Sequence, residues 1–202
     1  MIFYGPPGTG KTTLARVIAG VTHAEFMQLN AVTSGKKEIM ETVEKAQEIG
    51  KIFNRKSVLF IDEIHRFNKS QQDALLPYVE DGTVILIGAT TENPYFEVNK
   101  ALLSRAKIFE LQPLSKEDIY ALLCRTLKDE ANGLGMFKVE MSDETVMTIA
   151  YQSDGDARSA LNTIEMAVLT TPPDKDGVIR VDTDIVKDCM QKKVVLYDKD
   201  GD

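Results

Sequence analysis

Residues 5–13 combine glycines, a lysine and hydroxyls at the spacing of a phosphate-binding loop, G-x-x-x-x-G-K-[ST]. Glycines let backbone N–H groups curl around phosphate oxygens, where side chains would obstruct the approach. In such loops the lysine reaches the β- and γ-phosphates, and the hydroxyl after it can ligate Mg²⁺. The pattern therefore predicts a nucleoside triphosphate site. Its predicted contact residues are Gly5, Pro6, Pro7, Gly8, Thr9, Gly10, Lys11, Thr12 and Thr13.

Two acidic residues, Asp62 and Glu63, follow the apolar run Val58–Ile61. A continuous apolar run is typical of a strand that is buried on both faces of a parallel sheet. Ligands bind at the carboxyl ends of such strands, so both acids would face the P-loop if the strands are neighbours. We expect Asp62 to hold Mg²⁺ together with Thr12, and Glu63 to orient and deprotonate the attacking water. Apolar strands often end in acids, so the motif is specific only because an intact P-loop precedes it.

The elements that must position these residues alternate between strands and helices. Such alternation predicts an α/β fold with a parallel sheet and right-handed crossovers. The five predicted strands are residues 2–4, 24–29, 58–62, 83–91 and 107–111. The predicted helices are residues 11–19, 36–50 and 101–105, with a further helix that begins at Asn68 or Ser70 and runs through Val79.

The pattern changes after Pro113, where helices replace strands. Ser115 and Ser142 are predicted N-caps. The predicted elements are helices 116–131, 143–152, 156–169 and 183–192, with a short strand at 178–181 as an option. We therefore predict a nucleotide-binding α/β core over residues 1–112, a small helical domain over 113–194 and a tail over 195–202.

Composition and charge exclude some classes of protein. The net charge of −7 argues against unspecific attraction to nucleic acid, although it leaves room for a local basic lining. Cys124 and Cys189 lack the spacing of a metal site and are predicted to be reduced thiols. The sequence has no long apolar run and no signal peptide, so we expect a cytoplasmic protein with no membrane partner. Only four residues precede Gly5, so we also expect the chain to be part of a longer protein.

A P-loop sheet followed by a helical lid is the organisation of AAA+ ATPases, and four further segments make the resemblance more specific. They are Asp62–Asp73 (DEIHRFNKSQQD), Gly88–Pro94 (GATTENP), Leu102–Ala106 (LLSRA) and Gly155–Arg158 (GDAR). With them the chain resembles the replication-associated recombination protein A family, also called MgsA. The eukaryotic relatives of that family are the Werner-helicase-interacting proteins, and it belongs to the clamp-loader side of AAA+.

The resemblance implies roles for three more residues, each with a plainer alternative. Thr91 matches sensor 1, which positions the lytic water, or it is a hydroxyl satisfied at a strand end. Arg105 matches the arginine finger that reaches the nucleotide of the neighbouring subunit, or it is an ordinary surface arginine. Arg158 matches sensor 2, which contacts the γ-phosphate in cis, or it pairs with Asp154 or Asp156.

The roles predicted for a histidine and three lysines near these motifs are less specific. His65 follows the acids, but Glu63 already fills the role of the base, so we expect His65 to have a packing or intersubunit role. Lys36, Lys37 and Lys69 match positions that face the central channel of clamp-loader-like rings. Their plainer alternative is a solvated face.

The resemblance implies Mg²⁺-dependent ATP hydrolysis, with ATP and Mg²⁺ as cofactors, that drives a DNA-associated assembly in replication-fork maintenance, recombination and repair. The implied partners are forked, gapped or single-stranded DNA, and single-strand-binding protein or other replication proteins, with nucleoid association. Family members have more chain at both ends, including a C-terminal domain for self-association, so we expect low activity from this part alone. Two alternatives stay open. They are another clamp-loader-type motor, such as a branch-migration helicase or a loader subunit, and a nucleotide-gated interaction module with little turnover.

Overall fold

The structure, a computed structural model, describes residues 1–197 and divides between Gln112 and Pro113 into two compact units. The first unit contains a five-stranded parallel sheet, and the second is mainly helical. The predicted α/β fold with five parallel strands, followed by a helical region, is thereby confirmed.

The sheet of the first unit has the strand order β2-β3-β4-β1-β5, and all neighbouring strands are parallel. Its strands are β1 (Ile2–Tyr4), β2 (Glu25–Asn30), β3 (Ser57–Asp62), β4 (Val84–Thr90) and β5 (Ile108–Glu110). Its helices are α1 (Lys11–Val21), α2 (Lys36–Phe53), α3 (Lys69–Glu80), α4 (Pro94–Glu97) and α5 (Lys100–Leu103).

The middle of the sheet is buried on both faces. Along β3, Val58 and Phe60 belong to one buried cluster, and Leu59 and Ile61 belong to another. Side chains alternate across a strand, so each apolar residue of β3 faces one of two covered faces. This double burial explains why β3 is a continuous apolar run and why its carboxyl end is held in place.

The first unit differs from prediction around the carboxyl ends of β3 and β4. One turn of 3₁₀ helix, Ile64–Arg66, follows β3, and β4 ends at Thr90 instead of Thr91. The predicted helix 101–105 is present as α5, with shifted bounds, and the short helix α4, which was not predicted, precedes it. Asn93 and Asn99 cap them by accepting hydrogen bonds from backbone amides two residues ahead.

The second unit contains α6 (Lys116–Lys128), α7 (Asp143–Gln152), α8 (Ala157–Thr170) and α9 (Thr183–Tyr197). Ser115 and Ser142 accept the hydrogen bonds that cap α6 and α7, as predicted. A two-stranded parallel sheet joins β6 (Val139–Met141) to β7 (Ile179–Val181). β6 was not predicted from the sequence, and its pairing with β7 defines it.

The C-terminal end of the chain tests only part of the prediction. α9 continues to Tyr197, past the predicted end at residue 192. Residues 198–202, most of the predicted tail over 195–202, lie outside the described residues.

Between residues 1 and 197, none of the helices has both the length and the apolar character needed to cross a membrane.

Candidate functional site

The loop between β1 and α1 needs glycine at the positions that turn it. Gly5 has φ +145°, and a Cβ there would lie 2.2 Å from the carbonyl oxygen of Leu111. Gly10, the residue before α1, has φ +85° in the left-handed region, which favours glycine. The loop conformation is thus set by residues that other types cannot replace without strain.

Lys11 is 8% exposed, and its ammonium group lies within the loop. Its Nζ donates hydrogen bonds of 2.7 Å to the carbonyl oxygens of both Gly5 and Pro6. The hydroxyl of Thr9 donates to the same Pro6 oxygen over 3.0 Å. The positive charge is therefore already concentrated where the loop curves, a suitable place for a phosphate.

The first turn of α1 offers backbone donors next to this charge. No side chain caps this helix among the described residues, so its first amides carry the positive end of the helix dipole. Thr12 is half-buried and Thr13 is exposed in that turn. The residues predicted from the sequence therefore form one continuous segment, from the loop after β1 to the first turn of α1.

The acidic pair leaves the sheet at the same edge as the loop. β1 and β3 both pair with β4, with Tyr4 beside Thr90 and Ile61 beside Gly88. The amide of Gly5 donates to the carbonyl oxygen of Thr90 over 3.2 Å. β1 and β3 are not direct neighbours, since β4 lies between them, and two strand spacings separate their axes by about 10 Å.

The oxygen ligands at this edge fit Mg²⁺. Thr12 supplies a hydroxyl and Asp62 a carboxylate, both hard donors. Mg²⁺ usually keeps several waters and takes one or two protein ligands together with phosphate oxygens. The donor set therefore suits a metal that arrives with a nucleotide, and these two residues stay predicted ligands.

Glu63 begins the turn after β3 with φ +53°, an uncommon value for a residue other than glycine. The hydroxyl of Thr91 donates to its Oε2 over 3.5 Å, at the outer limit of a hydrogen bond. His65 Nδ1 lies 3.2 Å from the same Oε2 and 2.8 Å from the hydroxyl oxygen of Thr90. The carboxylate of Glu63 is therefore held by side chains from the 3₁₀ turn and from the segment after β4.

The sequence had singled out Thr91 but not Thr90. Thr91 is exposed and lies beyond the end of β4, whereas Thr90 is fully buried. A signal was available, since Thr90 is a hydroxyl in an otherwise apolar buried strand and such a group needs a partner. The two threonines therefore have different environments at the end of the same strand.

Arg105 follows α5 and makes contacts inside its own chain. Its Nη2 lies 2.6 Å from Oε1 of Glu80, and its Nη1 donates to the carbonyl oxygen of Ala101 and to the hydroxyl of Ser104. The side chains of Arg105 and Glu80 are 44% and 48% exposed. An exposed pair of this kind contributes little to stability, so the guanidinium can exchange partners readily.

Arg158 lies in the second unit, in the first turn of α8, and it is exposed. The Asp156 carboxylate accepts a hydrogen bond from the amide of Ser159. Within residues 1–197 no ion pair joins Arg158 to Asp154 or Asp156, so the plainer alternative for Arg158 is not what the structure contains. Its role as sensor 2 stays a prediction.

The three lysines of the possible channel face are all exposed. Lys36 and Lys37 begin α2 and Lys69 begins α3, after strands β2 and β3 respectively. Lys37 pairs with Glu41 over 3.6 Å on the helix surface. This environment is compatible with either a solvated face or a DNA-facing one.

Two family models match parts of this chain. The model of the ATPase family associated with various cellular activities (AAA) matches residues 1–114. The model of the AAA C-terminal domain matches residues 135–202.

Several curated proteins are similar along the whole chain. Replication-associated recombination protein A is 47% identical in Bacillus subtilis and 48% identical in Escherichia coli K12. Both alignments cover all of this chain, with 47% and 45% of those proteins. ATPase WRNIP1 of Dictyostelium discoideum is 43% identical, over all of this chain and 24% of that protein. The chain thus spans about half the length of the bacterial relatives it matches.

Solved structures give a more distant match. The Thermotoga maritima RuvB Holliday junction branch migration motor is 28% identical, with a TM-score of 0.69. The alignment covers 94% of this chain and 60% of that one. A second structure of Thermotoga maritima RuvB, a variant with one substitution, is 27% identical, with a TM-score of 0.68 and the same coverage of 94% and 60%.

Proposed function

Since this chain belongs to the AAA family of ATPases, and within it to the replication-associated recombination protein A and WRNIP1 group, we propose that its first unit binds ATP with Mg²⁺ and hydrolyses it. The observation that carries the proposal is the common edge of the sheet. Gly5 is hydrogen-bonded to Thr90 at the end of β4, and Asp62 and Glu63 leave β3 on the other side of that strand. This arrangement supports a site in which hydrogen-bond donors for phosphate, oxygen ligands for a metal and a carboxylate base act at the same edge of the sheet.

Each residue at this edge has a role that its chemistry supports. Lys11 and the loop amides bind the phosphates, and Thr12 and Asp62 hold the metal. A Mg²⁺ ion held by Thr12 and Asp62 would neutralise the negative charge that develops during phosphoryl transfer. Glu63 accepts a proton from the attacking water, while the exposed hydroxyl of Thr91 helps to orient that water.

Two arginines supply positive charge from outside the loop. Arg105 acts on the nucleotide of a neighbouring subunit, which its exposed and exchangeable pairing with Glu80 permits. Arg158 contacts the γ-phosphate within its own chain, and its exposed position in the first turn of α8 leaves the guanidinium accessible. Such charges stabilise the transition state of phosphoryl transfer.

The output of this ATPase is an assembly that works on DNA during replication-associated recombination and repair. This step follows from the names of the relatives and not from the site, since the chain covers under half of their length. The same proposal includes self-association, nucleoid association and binding of forked, gapped or single-stranded DNA. It also includes contacts with single-strand-binding protein or other replication proteins.

The alternatives have less support. Identity to the RuvB branch migration motor is 28%, against 47% to replication-associated recombination protein A of Bacillus subtilis. A nucleotide-gated module with little turnover would have no use for a carboxylate held by neighbouring side chains, as Glu63 is.

The experiment that tests the proposal compares Glu63→Gln with the parent in the full-length protein, with and without forked DNA. We expect unchanged ATP affinity and a fall of at least about 10²-fold in the single-turnover rate, since a general base contributes about 10²–10⁴-fold. Glu41→Gln, which alters an exposed carboxylate on α2, serves as the matched control. Equal rates for Glu63→Gln and the parent would favour the binding-only module.

A further inference from the structure

The turn after β3 brings a histidine back toward the glutamate that precedes it. Glu63 has φ +53°, and the 3₁₀ turn Ile64–Arg66 begins directly after it. The amide of Arg66 donates to the carbonyl oxygen of Glu63 over 2.8 Å, which closes the turn. The positive φ therefore determines where the ring of His65 lies.

His65 contacts the carboxylate and the end of β4 through one ring nitrogen. Its Nδ1 is 3.2 Å from Glu63 Oε2 and 2.8 Å from the hydroxyl oxygen of Thr90. The side chain of His65 is 8% exposed and that of Glu63 is 31% exposed. The ring is thus packed in the protein, while the carboxylate it contacts still reaches solvent.

The donors of this cluster can be assigned by elimination. An ionised carboxylate only accepts hydrogen bonds, so the Nδ1 that faces Glu63 has to carry a hydrogen. The hydroxyl of Thr90 accepts from the amide of Glu92 over 2.9 Å and donates to the Glu92 carbonyl oxygen over 3.2 Å. Its oxygen then accepts from His65 as well, and the Nδ1–H that is hydrogen-bonded to Thr90 lies beside Oε2 of Glu63.

The other donor to Glu63 is weaker. Thr91 reaches the same oxygen only over 3.5 Å and is exposed, so water competes with it. Both contacts fall on Oε2 among the described residues, and Oε1 can face the attacking water. A buried ring that is fixed at a strand end defines the orientation of a carboxylate better than an exposed hydroxyl does.

We propose that His65 is a positioning residue for hydrolysis, which holds the Glu63 carboxylate through Nδ1–H while Thr90 holds the ring. The inference rests on the proposed ATPase function, and it assigns to His65 a part in the chemical step that packing alone would not have. It predicts that loss of the Nδ1 donor lowers the rate of hydrolysis and leaves ATP affinity unchanged.

The first test compares His65→Asn with His65→Gln in the full-length protein. The amide nitrogen of asparagine can occupy the place of Nδ1, whereas that of glutamine reaches further, toward the place of Nε2. We expect His65→Gln to lower the single-turnover rate by about 10- to 100-fold, because small misplacement of a catalytic group costs up to about 10²-fold. His65→Asn should recover most of that rate, and ATP affinity should stay within about twofold in both.

The second test uses the other partner of the ring and guards against misfolding. Thr90→Val removes the hydroxyl at nearly constant volume and Thr90→Ser keeps it, so valine should slow hydrolysis and serine should not. If His65→Gln fails to fold, this pair decides alone. His23→Gln, at an exposed histidine before β2, is the control for the substitution itself.

The outcomes separate this inference from the proposed function. Equal rates for His65→Asn and His65→Gln, a rate for Thr90→Val equal to that of the parent, or a loss confined to ATP affinity would each overturn the positioning role. If Glu63→Gln abolishes hydrolysis in the same experiments, the ATPase proposal survives that result. If Glu63→Gln hydrolyses ATP at the parent rate, the proposed function itself fails.

Discussion

The amide of Gly5 donates a hydrogen bond to the carbonyl oxygen of Thr90 over 3.2 Å, so the first residue of the P-loop is tied to the last residue of β4. This bond continues the ladder between β1 and β4 by one residue beyond Tyr4. It places the loop beside the strand whose other neighbour, β3, carries Asp62 and Glu63. The relationship between the loop and the acids is thus set by sheet pairing.

The position of Gly5 predicts a loss of stability for Gly5→Ala. The new Cβ would lie 2.2 Å from the Leu111 carbonyl oxygen at φ +145°, so the backbone must move. We expect a decrease of about 1–3 kcal/mol or more in the free energy of unfolding, measured by urea denaturation. Gly20→Ala is the matched control, because nothing lies within 4 Å of its Cβ position and it is inside α1. This change should stabilise the chain by about 0.5–1 kcal/mol, and equal effects would contradict the packing argument.

Lys11→Ala should weaken binding of ATP. Its ammonium group lies in the curve of the loop, and each charge-assisted hydrogen bond to phosphate is worth about 1.5–3 kcal/mol. We therefore expect at least about a tenfold increase in the dissociation constant, measured by titration calorimetry with ATP and Mg²⁺. Lys37→Ala, on the exposed face of α2, should bind as the parent does. Unchanged affinity in Lys11→Ala would remove the basis for the nucleotide site.

Arg105→Ala should lower steady-state turnover of the full-length protein while ATP affinity is retained. Arginines supplied in trans to related GTPases contribute about 10³–10⁵-fold in rate, so we expect a loss on the order of 10³-fold. Glu80→Gln removes the partner of Arg105 in the same chain and should not lower turnover.

Mixing variants tests whether Arg105 acts on a neighbour. In mixtures of Arg105→Ala with Glu63→Gln subunits, the first retains Glu63 and the second supplies Arg105, so activity should exceed that of either variant alone. Mixtures no more active than the separate variants would show that Arg105 does not act between subunits.

The second unit should lose stability in acid, in part because of Asp174. Hydrogen bonds from the amide of Val178, together with that of Asp176 and with the guanidinium of Arg180, hold the pKa of this carboxyl below its ordinary 3.8. A group with a lowered folded-state pKa stabilises the fold above its unfolded pKa, and this contribution is lost as pH falls through the folded pKa. Thermal unfolding midpoints should therefore decrease below about pH 4.

Asp174→Asn provides the comparison for that experiment. Asparagine can accept the same backbone hydrogen bonds, but it carries no charge and its amide does not titrate. The variant should therefore be less stable than the parent near neutral pH. Its stability should also depend less on pH below about pH 4. Asp188→Asn, at an exposed position on α9, controls for loss of a negative charge. Parallel pH profiles for Asp174→Asn and the parent would contradict the contribution of Asp174.

The sequence by itself determined the features that short patterns encode. The phosphate-binding loop Gly5–Thr12 is recognisable because its glycines and its lysine are close together in the sequence, so no distant contact is needed to define the motif. Val58–Ile61 reads as a doubly buried strand, because burial on both faces requires every residue to be apolar. The caps at Ser115 and Ser142 follow from hydrogen bonds that span three residues.

Only the tertiary structure decided which groups meet. Three relationships depend on pairings between residues that are distant in the chain. Strand β4 lies between the loop and Glu63, His65 contacts Thr90 and not Thr91, and Arg105 pairs with Glu80. The sequence period of a single helix or strand does not reveal such pairings, because they join residues from different elements. The residue types that could do chemistry are therefore visible in the sequence, whereas the contacts around the carboxylate of Glu63 are a property of the folded sheet.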